Sequence, residues 1–277
     1  MAVRAPARGP RGTGKGFGMF AKGMRGRLVR LPEAAGDDSG TTEGKEPPLR
    51  LAVLGDSVAA GVGAASHREA MAGQLAEALT AMTGRAVSWR VAAKAGATLA
   101  VVRRGMLPGL TDPGARWRPD LVVVVAGTND AMRLRRPRAF RRDAERLVRD
   151  VRLRLGEDVP MVFAGLPTIA RLSSLPRRVR GPLGLYIGLL DRQLRTTATR
   201  GVAVFHLPSG GPPEFPGDWL AADRFHPSPA GYRAWARVLA SRLATLTEAT
   251  LPTVLAPAAP TRPIQYLGAP PPDPQSA

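Results

Sequence analysis

Of the three histidines in this 277-residue chain, one stands beside a residue that could make it a base. In Asp223-Arg224-Phe225-His226-Pro227 a carboxylate precedes the imidazole by three residues, so a single turn can present both side chains together. His206 has Ala203 at that offset and His67 has Ala64, so neither brings its own acid; His206 reads as structural and His67 as a surface or capping residue. A histidine oriented by a carboxylate is the base that activates a hydroxyl nucleophile. The candidate hydroxyl is Ser57 in Gly55-Asp56-Ser57, directly after the apolar run Leu51-Ala52-Val53-Leu54. A serine at the C-terminal mouth of a strand in an open α/β sheet lies where ligands bind. Acyl transfer from such a serine also needs donors for the developing oxyanion. Three are available: the backbone N–H of Ser57, the backbone N–H of Gly96 in Lys94-Ala95-Gly96-Ala97-Thr98, and the side-chain amide of Asn129 in Gly127-Thr128-Asn129-Asp130. Gly96 has no Cβ to obstruct a close approach.

These residues are far apart in sequence, so the fold has to bring them together. Apolar runs at 51–54, 87–92, 120–126, 160–164 and 202–205 read as strands, the third β-branched almost throughout. Between them lie helical periods. Met71, Leu75, Leu79 and Met82 recur in a helix that begins near His67 and stops at Gly84, and a short helical segment covers 99–106. Phe140, Ala144, Leu147, Val151 and Leu155 form a stripe with arginines opposite, and a further helix covers 183–199. Ser228-Pro229 caps a last helix that buries Tyr232, Trp235, Ala236, Leu239 and Leu243. Strands alternating with helices predict an open, mostly parallel sheet with helices on both faces. Right-handed crossovers then align the strand C-termini along one edge, where Ser57, Gly96 and Asn129 should meet. Residues 165–190 leave that same edge and are the candidate acyl-pocket wall or lid.

Taken in order, Gly55-Asp56-Ser57, Gly96 before Ala97-Thr98, Gly127-Thr128-Asn129-Asp130 and Asp223-Arg224-Phe225-His226-Pro227 make four blocks, and in these the chain resembles the SGNH hydrolases, the GDSL-type esterase and lipase superfamily. The resemblance covers residues 50–245. It implies a three-layer α/β/α, flavodoxin-like parallel sheet and a serine esterase that needs neither metal nor cofactor. Carried over block by block, it makes Ser57 the nucleophile, His226 the base and Asp223 its orienter, with Ser57, Gly96 and Asn129 forming the oxyanion hole. The chain departs from the family pattern at Val58-Ala59-Ala60, small residues that leave room after the nucleophile, and at Val91 and Ala93, where an Asn and a Gly are common.

Composition sets the remaining expectations. The chain is 44% hydrophobic and carries a net charge of +18. Absence of cysteine excludes disulfides and thiolate metal sites. Ten of the basic residues lie in residues 1–50, and ten arginines against three acids occupy 133–154. The arginine, alanine, glycine and proline enrichment is that of a high-GC genome, and no specific nucleic-acid partner is expected. Residues 1–48, basic and rich in Gly and Pro, read as a flexible arm; 49–248 form the hydrolase domain; 249–277, with eight prolines from Leu251 onward, form a disordered tail. No apolar run reaches spanning length, and the stretch 17–21 ends at Lys22, too short for a signal core. A cytoplasmic protein acting on a small-molecule or lipid ester is therefore expected, with peripheral membrane contact left open. Two rivals share the same residues: an acyltransferase using the same site, and a non-catalytic module that binds anionic lipid or nucleic acid through its basic arms.

Overall fold

The central apolar runs have no polar alternation, which is the pattern of strands covered on both faces. In the computed structural model, which describes residues 30–110, 117–167, 177–209 and 217–247, they become the interior of one sheet. The strands are β1 (Ser39–Thr41), β2 (Lys45–Gly55), β3 (Arg85–Ala93), β4 (Leu121–Val125), β5 (Met161–Ala164) and β6 (Val204–Leu207). Their order is β1-β3-β2-β4-β5-β6. β2 to β6 pair in parallel, in the order of a flavodoxin-like sheet, and β1 adds an antiparallel edge to β3.

Successive residues of a strand point to opposite faces, and the two cores divide accordingly. Ala52, Leu54, Val122, Val124 and Phe163 enter one cluster, whereas Leu51, Val53, Leu121, Val123 and Val162 enter the other. The second is covered by α1 (Met71–Thr83) and by the last helix of the described residues, Pro229–Thr247. Over the first lie α2 (Leu99–Val101), a π turn at Val102–Met106, α3 (Leu107–Leu110), a short α4 (Thr128–Met132), α5 (Pro137–Leu155) and α6 (Arg177–Ala198). Pro229–Thr247 is therefore α7. This is a three-layer α/β/α architecture.

Most local signals have their expected outcome. Gly84 ends α1 in a left-handed conformation (φ 70°), its N–H donating to the Thr80 carbonyl. α5 buries the five apolar residues of its stripe, together with Asp143. The Ser228 hydroxyl accepts the Gly231 N–H at 3.2 Å and so caps α7. Several boundaries differ, among them the start of β2, at Lys45 rather than Leu51. α1 starts at Met71 rather than near His67, and β6 runs 204–207 rather than 202–205, leaving Val202 exposed. α6 begins at Arg177, six residues earlier than its apolar period suggests. The helix runs through Gly181-Pro182, forgoing one backbone hydrogen bond near its exposed start. Part of the candidate lid, residues 168–176, lies outside the described residues.

The larger correction concerns the arm. Residues 30–48 are docked on the sheet. The Ala34 and Ala35 N–H groups donate to the carbonyls of Ala60 and Ala65, both at 3.0 Å, and Ser39–Thr41 pairs with Ser88–Arg90. Edge pairing needs backbone groups rather than an apolar period, so composition gave no sign of it. Residues 1–29 and the proline-rich segment from 248 lie outside the described residues. Thr42 fastens this segment: its hydroxyl lies 2.6 Å from that of Thr80 and accepts the buried Val87 N–H at 2.8 Å. Thr42→Val keeps the shape but orphans that N–H, and should lower unfolding free energy in urea by roughly 1–3 kcal/mol. An unchanged midpoint would mean that the docked segment adds nothing to stability.

Candidate active site

β2 delivers Ser57 to the sheet edge. Past Gly55 the chain turns tightly: the Asp56 N–H donates to the Val125 carbonyl of β4 at 3.0 Å, and the Ala60 N–H returns to the Asp56 carbonyl at 2.9 Å. Of the small residues Val58-Ala59-Ala60, Ala59 packs in the core and Ala60 lines a cavity with His67. The Ser57 hydroxyl lies 2.9 Å from His226 Nε2. On the other side of the ring, His226 Nδ1 is 2.5 Å from Asp223 Oδ2.

The Asp223 turn is built to hold that geometry. Oδ1 accepts the backbone N–H groups of Phe225 and His226 at 3.0 and 2.9 Å, and Arg224 adopts a left-handed conformation (φ 55°) between them. Phe225 packs edge-on against the imidazole, 5.1 Å between ring centres. Burial works against the Asp223 carboxylate, but the hydrogen bond from His226 and the two backbone N–H groups outweigh it and hold the group below its usual range.

The segments carrying Gly96 and Asn129 are tied to the residues just before Ser57. The Lys94 N–H donates to the Gly55 carbonyl at 3.2 Å, and Gly96 sits at φ 78°. Asn129, on the single turn of α4, directs its amide to Asp56 Oδ2 at 3.4 Å. Among the described residues, the backbone N–H groups of Ser57 and Gly96 donate to no protein group. The structure thus puts Ser57, His226 and Asp223 in direct contact, and ties Asn129 and the loop carrying Gly96 to Asp56 and Gly55, the two residues before the serine.

The other two histidines divide. His206 Nε2 lies 2.9 Å from Asp191 in the interior, a structural pair as expected. His67 is not at the surface. It is buried, with Nδ1 unpaired among the described residues, and it lines a cavity of about 340 Å³ with Glu33, Asp38, Val91 and Met106. Its cover comes from the docked 30–48 segment, which explains the miss. Burial lowers its pKa despite nearby Asp38 and Glu33. Among the described residues, no group of His, Asp and Glu is arranged to hold a metal ion.

Sequence reading also left three acids without roles. Asp56 is buried behind the nucleophile, and burial pushes its carboxyl up to about 6 against the hydrogen bonds from Val58, Gly127 and Asn129. Asp130, wholly buried, accepts the Leu99 N–H at 2.8 Å and so joins α4 to the helix after the Gly96 loop. Glu33 accepts the Ala95 N–H at 2.6 Å, next to Gly96. The first two stand inside quoted blocks, and adjacency to Ser57 and Asn129 was their signal. Glu33, from the expected arm, had none.

A family model described as GDSL-like Lipase/Acylhydrolase matches residues 53–234. The GDSL-like esterase Rv1075c of Mycobacterium tuberculosis (strain ATCC 25618 / H37Rv) is 28% identical over 196 residues, 69% of this chain and 60% of the relative. The chain therefore spans less than two thirds of that curated relative. Among solved structures, the crystal structure of TesA is 22% identical, covering 72% of this chain and 98% of that one, with a TM-score of 0.53. A family two carbohydrate esterase from Clostridium thermocellum, in complex with cellohexaose, is 18% identical over 73% of this chain and 66% of its own, also with a TM-score of 0.53. At these identities the structural likeness speaks to the fold.

Asp130 gives the site a pH signature. Burial, with Asp143 and Asp56 nearby, raises its carboxyl to about 7, against the Leu99 N–H and Arg135, which act the other way. The unfolded chain titrates this group near its ordinary value of about 3.9. The native state therefore holds the proton more tightly. The stability this contributes is complete below about pH 4 and is lost as pH rises to about 7. Asp130→Asn mimics the neutral form, so its unfolding free energy should gain on the wild type by a few kcal/mol between those limits and run parallel above them. A pH-independent difference between the two proteins would refute the assignment.

Proposed function

The chain belongs to the GDSL-like Lipase/Acylhydrolase family, and from that premise we propose that it is a serine ester hydrolase working through Ser57, His226 and Asp223 by way of an acyl-enzyme. The observation that carries this reading is the unbroken line of contacts from Ser57 through His226 to Asp223, at 2.9 and 2.5 Å.

With the ring proton on Nδ1 and directed at Asp223, Nε2 accepts the Ser57 proton as Oγ bonds to the ester carbonyl carbon. The carbonyl π electrons move onto oxygen. The resulting oxyanion takes hydrogen bonds from the N–H groups of Ser57 and Gly96 and from the Asn129 amide, donors already fixed before reaction. Collapse of this intermediate breaks the ester C–O bond, and the alcohol leaves with the proton held by His226. Water repeats the sequence: His226 takes its proton, hydroxide oxygen bonds to the acyl carbon, and Ser57 Oγ departs with that proton as the acid is released. Asp223 accepts from the ring throughout and stabilises the imidazolium.

Asp56 supports the second step of this scheme indirectly. One Asn129 N–H points at its carboxyl, which fixes the amide plane and leaves the other N–H for substrate. Small-molecule or lipid esters are the substrate class this reading assigns.

The test is hydrolysis of p-nitrophenyl esters from acetate to laurate. Ser57→Ala should abolish turnover above background, and Asn129→Ala should lower kcat by about 10²–10³ with little change in KM. Asp223→Asn should cost about 10⁴ by disturbing the tautomer. Equal traces for wild type and Ser57→Ala at every chain length would overturn the proposal.

A further inference from the structure

α5 and α6 bury their apolar stripes in the same core cluster, so their outward stripes cover the same face of the molecule. That face is unusual in two respects at once. On α5, the exposed positions are arginines apart from Leu153. On α6, the exposed stripe runs Arg178, Gly181, Pro182, Leu185, Gly188, Leu189, Arg192 and Arg195, an apolar centre with arginine at both ends. Leu185 is 76% exposed and Leu189 43%.

No exposed position on either helix carries an acid. Asp143, Glu145, Asp150 and Asp191 are buried or half-buried, each facing an arginine or a histidine. The apolar strip continues to the active-site rim. Leu134, five residues after Asn129, is 60% exposed and held in a left-handed backbone (φ 51°), a conformation that costs a branched side chain about 1 kcal/mol. The next residue is tied to α6, since the Tyr186 hydroxyl donates to the Arg135 carbonyl at 2.8 Å.

Leucines standing in water among cations are placed badly for a free surface and well for the boundary of a bilayer. There apolar side chains enter the acyl region while arginines meet lipid phosphates. A nucleic acid would satisfy the arginines but not the leucines, and single-strand binding uses exposed aromatic platforms, whereas Tyr186 is half-buried and engaged. The geometry points to this face, centred on Leu185 and Leu189 and reaching Leu134, as a docking surface for an anionic phospholipid membrane. Docking there brings the sheet edge that carries Ser57 toward the lipid boundary. The consequence that its esters are membrane-resident rests on the hydrolase reading above; the docking itself does not.

The chain lacks cysteine, so one introduced thiol carries a dye without background. Leu185→Cys and, as a control on the opposite layer, the 48%-exposed Met82→Cys are each labelled with an environment-sensitive fluorophore in the full chain bearing Ser57→Ala. Working in the Ser57→Ala background keeps the result independent of catalysis. Adding phosphatidylcholine vesicles that contain phosphatidylglycerol should brighten and blue-shift the dye at position 185 and leave the control unchanged, with little effect from phosphatidylcholine alone. In vesicle flotation, Leu185→Gln with Leu189→Gln should reduce partitioning roughly tenfold without changing net charge. A silent dye at 185 while the protein floats with vesicles would overturn the proposal and assign attachment to another part of the chain. Equal responses at 185 and 82 would do the same. A response to poly(U) matching that to vesicles would make the face a polyanion surface instead.

Discussion

A Cβ added to Gly55 would sit 2.2 Å from the Val125 carbonyl oxygen and 2.6 Å from the Ala59 side chain. That close approach of β2 to β4 is what the rest of the site depends on. It keeps Gly55 level with Val125 in the parallel register, lets the Asp56 N–H take the Val125 carbonyl, and starts the turn that raises Ser57. The same residue offers its own carbonyl to Lys94 and so fixes the start of the Gly96 loop. Three strand ends are thereby referenced to one glycine. A second such contact brings in the histidine segment: at Gly63 (φ 99°) a Cβ would lie 2.3 Å from the Pro227 carbonyl oxygen. The loop after the nucleophile and the residue after His226 are thus pressed together with no side chain between them.

Position alone does not make a site, and the buried acids show what is added. Asp56 and Asp130 are carboxyls without a cationic partner in direct contact, an expensive choice in a core. What each obtains instead is backbone and amide donors: Val58 and Asn129 for Asp56, Leu99 for Asp130. Each joins segments that the sheet alone leaves separate. Through Asp130 the Asn129 turn is bonded to the helix that follows Gly96, so two of the proposed oxyanion donors belong to one braced unit. Stability given up in burying two acids is spent on holding dipoles in a fixed direction, which is the condition for stabilising developing charge without rearrangement.

Much of this was legible in the sequence, and the parts that were not share a cause. The parallel strands announced themselves because strands covered on both faces must be apolar along their length, and α5 did so because Phe140, Ala144, Leu147, Val151 and Leu155 keep a helical period. Ser57, Asn129 and His226 were legible because each follows or precedes an element whose type was plain. β1 and the docking of residues 30–48 were not, since backbone pairing and the Thr42 hydroxyl leave no periodic trace. The same gap hid Glu33 and misplaced His67, whose cover is that segment. α6 began early for a different reason: Gly181 and Pro182 lie on its exposed stripe, where a helix breaker costs little packing, and the apolar residues that define its period begin only at Leu183.

The chain contains two histidine–aspartate pairs, and the contrast between them separates chemistry from architecture. His226–Asp223 and His206–Asp191 have similar separations, 2.5 and 2.9 Å, and both lie largely out of solvent. Asp191, however, also accepts the Leu166 N–H at 2.9 Å and stands 3.5 Å from Arg195, while His206 reaches it from β6. That pair is a strut joining α6, β6 and the residues after β5, and none of its described contacts is a hydroxyl. At His226 the second ring nitrogen meets Ser57, and the carboxylate comes from the same tight turn rather than from a distant helix. A local acid can orient the ring without bracing the fold, which suits the role proposed for His226, whereas His206 is held between separate elements. The three-residue offset visible in the sequence mattered for that reason: it marks an acid whose only described side-chain partner is the histidine beside it.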